Sequence, residues 1–199
     1  DHVRAAADPE EAQSLTDSVV FGARAVEAVY GIDYSQRAIK LAKAMNQDIP
    51  SVQFSAEDIM TDHKLPKADV IILMEVFEHI RIELCDDFIK SVSKMLNPGG
   101  KLLLTVPHVN KSVEYKHFQH FSIDSLNAYL EKYFDIVDVV PFERKGIVRK
   151  SMNYLLANRH FVLNNGFLLN LIYRFNKKFL FKCESESMCQ RIFIEAVIR

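Results

Sequence analysis

The chain has 199 residues, 49% hydrophobic and 26% charged, and its 25 Lys and Arg against 26 Asp and Glu leave a net charge of −1. This length suits one sizeable core, and the composition excludes gross disorder and a polycation built for nucleic acid. Three cysteines, Cys85, Cys183 and Cys189, make no CxxC pair, which excludes a disulfide framework and a cysteine zinc site and fits a reducing, cytoplasmic setting. No apolar run reaches the roughly 18–20 residues of a spanning helix, so the expectation is a soluble protein or one in peripheral contact with a membrane.

Strand and helix patterns alternate from residue 26 onward. Residues 26–33 (VEAVYGID) are rich in β-branched and aromatic side chains and end in Asp33, after which Ser35 is placed to cap a helix. That helix carries Ala38, Leu41, Ala42 and Met45 at helical spacing and stops before Asp48-Ile49-Pro50. A short strand at 52–54 leads into a polar connection, 55–67, containing Ala56-Glu57-Asp58. Residues 68–74 (ADVIILM) are almost continuously apolar, as expected of a strand covered on both faces.

A helix over 83–96 places Cys85, Phe88, Ile89, Val92 and Leu96 on one side, and Asn97-Pro98-Gly99-Gly100 predicts the turn that ends it. Residues 101–106 form the next strand, closed by Pro107. Beyond a histidine-bearing polar stretch, Ser122 caps a helix through Leu130, and 134–140 is another strand. Residues 151–180 read as mostly helical, apolar and basic, and 191–198 (RIFIEAVI) as a terminal strand. Such alternation predicts a mainly parallel sheet with helices on both faces, and ligands beyond the carboxyl ends of its strands.

Three positions carry candidate chemistry. Asp33, between a strand end and a helix start, is placed to accept hydrogen bonds from a ribose diol, or else to favour the positive end of the helix dipole. The step Ser55-Ala56-Glu57-Asp58 offers an amide and carboxylates to a base edge. In Glu75-Val76-Phe77-Glu78-His79, a helical turn brings Glu75, Glu78 and His79 to one side. Two carboxylates and an imidazole form most of a site for Mg²⁺ or Mn²⁺, to which His117 or His120 can add a nitrogen.

The ordered series VYGIDYSQRAIKLAKAMN, VQFSAEDI, ADVIILMEVFEHI, MLNPGGKLLLTVPH and HFQHFSIDSL resembles the class I S-adenosylmethionine-dependent methyltransferases over residues 21–142, with 191–198 as a last strand. The resemblance implies one Rossmann-like domain over 1–199, with a seven-stranded, mainly parallel sheet and an antiparallel last strand. It implies S-adenosylmethionine as cofactor, with Asp33 on its ribose, Gly31 and Tyr34 beside it, Ala56, Glu57 and Asp58 around the adenine and Met74 along the methionine. The family's first strand and Gly-x-Gly loop should precede Phe21-Gly22-Ala23, and residues 1–20 have no such form; the expectation is that this segment is missing from the chain.

Glu75-x-x-Glu78-His79 further resembles the motif of the ubiquinone-pathway O-methyltransferases and of the small-RNA 3′-terminal 2′-O-methyltransferases, where a later histidine joins it on a metal. Three readings stay open. Glu75, Glu78, His79 and His117 hold a metal that orients a hydroxyl; Glu75, Glu78, His79 and His120 serve acid–base chemistry without metal; or the acids merely pair with arginines such as Arg81. The expected function is methyl transfer to an oxygen of a small molecule or sugar-containing metabolite. The alternatives are RNA terminal-ribose methylation, disfavoured by the neutral charge, and a catalytically silent binding module. The 145–190 insertion is read as a lid over the acceptor, or as a membrane contact through Lys177, Lys178 and Lys182 beside apolar residues.

Overall fold

The computed structural model describes residues 28–61, 65–149, 151, 165–181 and 183–199. The chain divides into two units, Asp1–Pro66 and Lys67–Arg199. In the first, β-branched and aromatic residues form strand β1 (Val29–Asp33), helix α1 follows (Gln36–Met45), and strand β2 (Val52–Ala56) pairs parallel to β1 from Val29↔Val52 to Asp33↔Ala56. Ser35 caps α1 as expected, its Oγ accepting from Ala38 N at 3.3 Å. At the far end the buried Asn46 donates its side-chain amide to Ala42 O at 2.8 Å, satisfying a terminal carbonyl.

The buried stripe of α1 is Ala38, Ile39 and Ala42, and Ile39 and Ala42 close on Phe54 of β2. Leu41 and Met45, expected on that face, remain 45% and 48% exposed. Ile39 and not Leu41 meets Phe54, which turns the apolar face by about one position from the spacing read in the sequence.

The second unit contains β3 (Ala68–Met74), α2 (Cys85–Lys94), β4 (Leu96–Pro107), α3 (Ile123–Leu130), β5 (Phe134–Arg144), α4 (Gly166–Phe175) and β6 (Cys189–Ile198). Its sheet has the order β3-β4-β6-β5, with β3 parallel to β4 and β6 antiparallel to both its neighbours. The antiparallel last strand matches expectation. The single seven-stranded sheet does not: the described residues form a two-stranded parallel sheet and a four-stranded mixed one. The expectation that the first strand and glycine loop are missing ahead of Phe21 falls on residues 1–27, outside the described residues.

Alternate residues of the central strands face each other across the register, Leu102↔Ala196, Leu104↔Ile194 and Val106↔Ile192, and all six are fully buried. Helix α2 packs on β4 and on α3, burying Cys85, Phe88, Ile89 and Val92, the face its spacing predicts. On β3, by contrast, Val70, Ile72 and Met74 stay exposed. Among the described residues β3 pairs with β4 alone, and the expected cover on both faces is not seen there.

Asn97-Pro98-Gly99-Gly100 does not form a separate turn. It is a bulge within β4, where pairing jumps from Ala68↔Leu96 to Val70↔Lys101. Gly99 has φ +76°, and a Cβ on Gly100 would lie 2.8 Å from Asn97 O, so glycine is required at both positions. Ser122 forms a capping box with Ser125 at the start of α3.

Candidate active site

In the first unit, parallel pairing brings Asp33 and Ala56 side by side at the carboxyl ends of β1 and β2. Glu57 N donates to Asp33 O at 3.1 Å, and Ser35 N donates to Asp33 Oδ1 at 2.6 Å. Burial raises the Asp33 carboxyl above its usual range, with the Ser35 N–H pulling the other way. Glu57 Oε1 accepts from Ser55 Oγ at 2.9 Å, while Asp58 Oδ1 accepts from Met60 N and so closes its own turn. Gly31 is buried in mid-strand opposite Phe54, and Tyr34 is 75% exposed beside the helix start. Asp33, Ala56 and Glu57 are therefore assembled as one rim. Met74 belongs to the second unit, as the last residue of β3.

In that second unit, the residues after β3 are anchored by Phe77. Its fully buried ring stacks on Phe121 with centroids 5.0 Å apart and on Phe88 at 5.8 Å, and Tyr129 meets its edge at 5.6 Å. This anchor holds the 3₁₀ turn Phe77–His79, so Glu78 and His79 project from a fixed backbone. Glu75 departs from the expected helical turn. Its φ is +54°, a left-handed conformation for a side chain that rarely adopts one, and its N–H still donates to Thr105 O at 3.0 Å.

Glu75, expected in the metal set, is not grouped with Glu78, His79 and His117 among the described residues. Glu75 Oε2 accepts from Arg191 Nε at 3.0 Å, and Arg191 Nη1 reaches Glu143 Oε2 at 2.9 Å. Glu143 also has positive φ, +62°, and pairs with Arg149. Arg81, offered as the partner of Glu75 and Glu78, instead lies 3.8 Å from Glu83 on the exposed surface. The terminal strand supplies the guanidinium because Arg191 sits in register opposite Pro107 and Phe142, at the strand ends.

Glu78 is fully buried, and among the described residues neither of its carboxyl oxygens has a hydrogen-bond partner. Burial first, and then the neighbouring Glu75, push its carboxyl up to about 8. One ligand atom each from Glu78, His79 and His117 lies within 4.8 Å of the other two. The rings of His79 and His117 meet edge to face, with centroids 4.7 Å apart.

Hydrogen bonds fix the tautomers. His79 Nδ1 lies 3.2 Å from Lys116 O, and a carbonyl only accepts, so Nδ1 carries the proton and Nε2 keeps a lone pair. His120 Nδ1 lies 3.0 Å from Lys111 O and by the same argument donates, which leaves His120 Nε2 as the acceptor for His117 Nδ1–H at 2.8 Å. His117 thus also bares Nε2. Burial first, and then His79, push its imidazole down to about 4, so it is neutral at pH 7. His120, read from sequence as catalytic, has both ring nitrogens hydrogen-bonded, Nε2 to His117 and Nδ1 to Lys111 O.

Sequence reasoning missed Arg191 and Glu143, which nothing local to either strand marks. It also missed His108, buried after β4, whose Nε2 lies 2.9 Å from Glu186 Oε1 and whose Nδ1 accepts from Asn110 N at 3.0 Å. The same Glu186 oxygen accepts from Ile123 N at 2.9 Å, at the first turn of α3, which ties the segment before β6 to that helix.

Residues 16–104, a little under half of the chain, match the family described as "Methyltransferase domain". No curated protein matches the sequence. Among solved structures, the N-methyltransferase NodS from Bradyrhizobium japonicum WM9, in complex with S-adenosyl-L-homocysteine, is 14% identical with a TM-score of 0.58, over 98% of this chain and 91% of that one. The [4+2]-cyclase SpnF is 18% identical with a TM-score of 0.62, over 92% and 71% of the two chains. The StiE O-MT segment is 13% identical with a TM-score of 0.57, over 92% and 63%. These likenesses show a Rossmann-like methyltransferase fold.

Proposed function

We propose that this chain, which carries an S-adenosylmethionine-dependent methyltransferase domain, transfers a methyl group to a hydroxyl oxygen of a small molecule or sugar-containing metabolite. The observation that carries the oxygen assignment is the set of Glu78, His79 and His117, a buried carboxyl without a hydrogen-bond partner among the described residues beside two imidazoles that each bare Nε2. Alcohols hold their protons tightly near neutral pH, so such an acceptor needs a group that lowers its pKa. Sulfur, nitrogen and phenolic acceptors need less.

Asp33 is the proposed ligand of the donor's ribose, with Ala56 and Glu57 beside its adenine. In the reaction the acceptor oxygen forms a bond to the methyl carbon while the carbon–sulfur bond breaks. The sulfonium becomes a neutral thioether, and the hydroxyl proton leaves to solvent. Positioning supplies most of the acceleration, because the methyl already sits on a cationic sulfur.

The residues present fit a divalent cation. Glu78 has two buried oxygens with no hydrogen-bond partner among the described residues, and both imidazoles are oriented through their other nitrogen, as metal-bound histidines are. Glu78, His79 and His117 would hold the ion, and its charge would stabilise the alkoxide character of the acceptor. With Glu75 engaged by Arg191, two nitrogens and one carboxylate favour Mn²⁺ over Mg²⁺, which prefers oxygen donors.

Calorimetry with S-adenosylhomocysteine tests the donor assignment: wild type binds, and Asp33→Ala loses binding. Methyl transfer to alcohol acceptors, lowered at least 100-fold in His79→Ala, tests the acceptor side. Because the [4+2]-cyclase SpnF shares the fold, donor binding without any methylated product would reject the proposal.

A further inference from the structure

We infer that helix α4 and the π-helical turn after it, Asn176–Leu180, form a surface that docks in the headgroup region of an anionic lipid bilayer. The inference goes beyond methyl transfer and does not depend on it. Helix α4 (GFLLNLIYRF) is capped by Asn165, whose side chain accepts from Leu168 N at 3.0 Å. It is a well-formed helix that buries none of its own residues. Phe167, Leu171, Phe175 and Phe179 recur every fourth position, so they run along one stripe, and they are 81%, 55%, 41% and 52% exposed. An apolar stripe of this size in a folded chain marks an interaction surface.

The charges beside the stripe choose the partner. From residue 144 to residue 183 the sequence contains nine Lys and Arg and no Asp or Glu, although the whole chain has a net charge of −1. Arg174, Lys177 and Lys178 belong to the described part of this stretch. Lys177 Nζ lies 6.0 Å from the centre of the Tyr173 ring, and Lys178 Nζ lies 5.2 Å from that of Phe179. The ammonium groups thus sit over aromatic rings of the same segment, which puts cations and apolar surface side by side, as an anionic membrane interface requires.

A second copy of the chain is a poor occupant. It would bring like charges together with no acid in the segment to pair them. Nucleic acid would meet the cations but leave the Phe and Leu stripe uncovered. An anionic bilayer satisfies both features. The ten residues of α4 span about 15 Å, half of a hydrocarbon core of about 30 Å, and among the described residues no helix is long and apolar enough to cross a membrane. The helix therefore lies in the plane of the interface.

The test is co-sedimentation of the full chain with vesicles of phosphatidylcholine alone and of equimolar phosphatidylcholine and phosphatidylglycerol. Wild type should pellet with the anionic vesicles, less so as salt rises, and weakly with the neutral ones. Each cation near the surface is worth roughly fivefold in partitioning, so Lys177→Gln with Lys178→Gln should weaken binding about 25-fold. Phe167→Ser with Phe179→Ser should remove it, with circular dichroism unchanged in both variants. The inference is overturned if wild type stays in the supernatant with both vesicle types or if neither double variant changes binding. It is overturned equally if the stripe instead drives a dimer, seen by sedimentation equilibrium and lost in the phenylalanine variant.

Discussion

Glu75 and Glu78 stand three residues apart, yet the two polar clusters they belong to are partnered in opposite ways. Glu75, Arg191, Glu143 and Arg149 form a chain of ion pairs, carboxylate to guanidinium, through two glutamates in left-handed backbone conformations, with Glu75 Oε1 and Arg149 Nε buried without a hydrogen-bond partner among the described residues. Glu78, His79 and His117 form an open one, in which neither oxygen of a buried carboxyl has a hydrogen-bond partner among the described residues and two imidazole nitrogens lie close by. An ion-paired cluster joins strand ends, and its loss is felt by the fold. An open cluster contributes little to folding, and its loss is felt by whatever it binds. One pentapeptide feeds both: Glu75, at positive φ, pairs with Arg191 of β6, while Glu78 and His79 of the 3₁₀ turn group with His117.

The contrast can be broken most severely at the anchor common to both clusters. Phe77→Ala should cost about 3–5 kcal/mol in urea denaturation, since the ring is fully buried within an aromatic group. Next comes Arg191→Met, which leaves Glu75 without its cation while Glu143 keeps only Arg149. About 3 kcal/mol is expected from the same measurement. Glu78→Gln sharpens the comparison: with no hydrogen-bond partner to lose among the described residues, it should change stability by under about 1 kcal/mol while abolishing any response of turnover to divalent ions. His120→Ala should weaken Mn²⁺ binding by about 10–100-fold, the usual effect of removing a group that orients a metal-bound histidine.

The smallest effect lies outside both clusters. The Ile123 N–H, and then His108, hold the Glu186 carboxyl below its usual range. The ionised form is favoured in the folded state, so its contribution is fully present above the ordinary glutamate pKa, about 4.5, and fades as pH falls below that. Glu186→Gln should flatten the acid limb of a stability-versus-pH curve and cost about 1 kcal/mol or less at pH 7.

The sequence and the structure agree best where evidence is local. The apolar run of β3, the Ser122 cap and the Cys85, Phe88, Ile89, Val92 stripe each rest on spacing within one element, and each appears where spacing puts it. Glu78 and His79 were legible for the same reason, but their grouping with the distant His117 came from the motif's resemblance and not from spacing within one element. The fate of Glu75 was not, because its partner Arg191 lies 116 residues away and arrives only through strand register. The role of His120 was hidden as well, since it depends on which ring nitrogen meets Lys111 O. Helix α1 shows how small an error suffices. Leu41 and Ile39 are comparably apolar, and contact with Phe54 decides between them.

The most direct test of this contrast is a calorimetric titration of Mn²⁺ into the full chain and into its Glu78→Gln variant. One ion per chain should bind the wild type and none the variant, with both proteins unfolding at the same urea concentration within error. No heat from the wild type, or equal binding by the two, would contradict it.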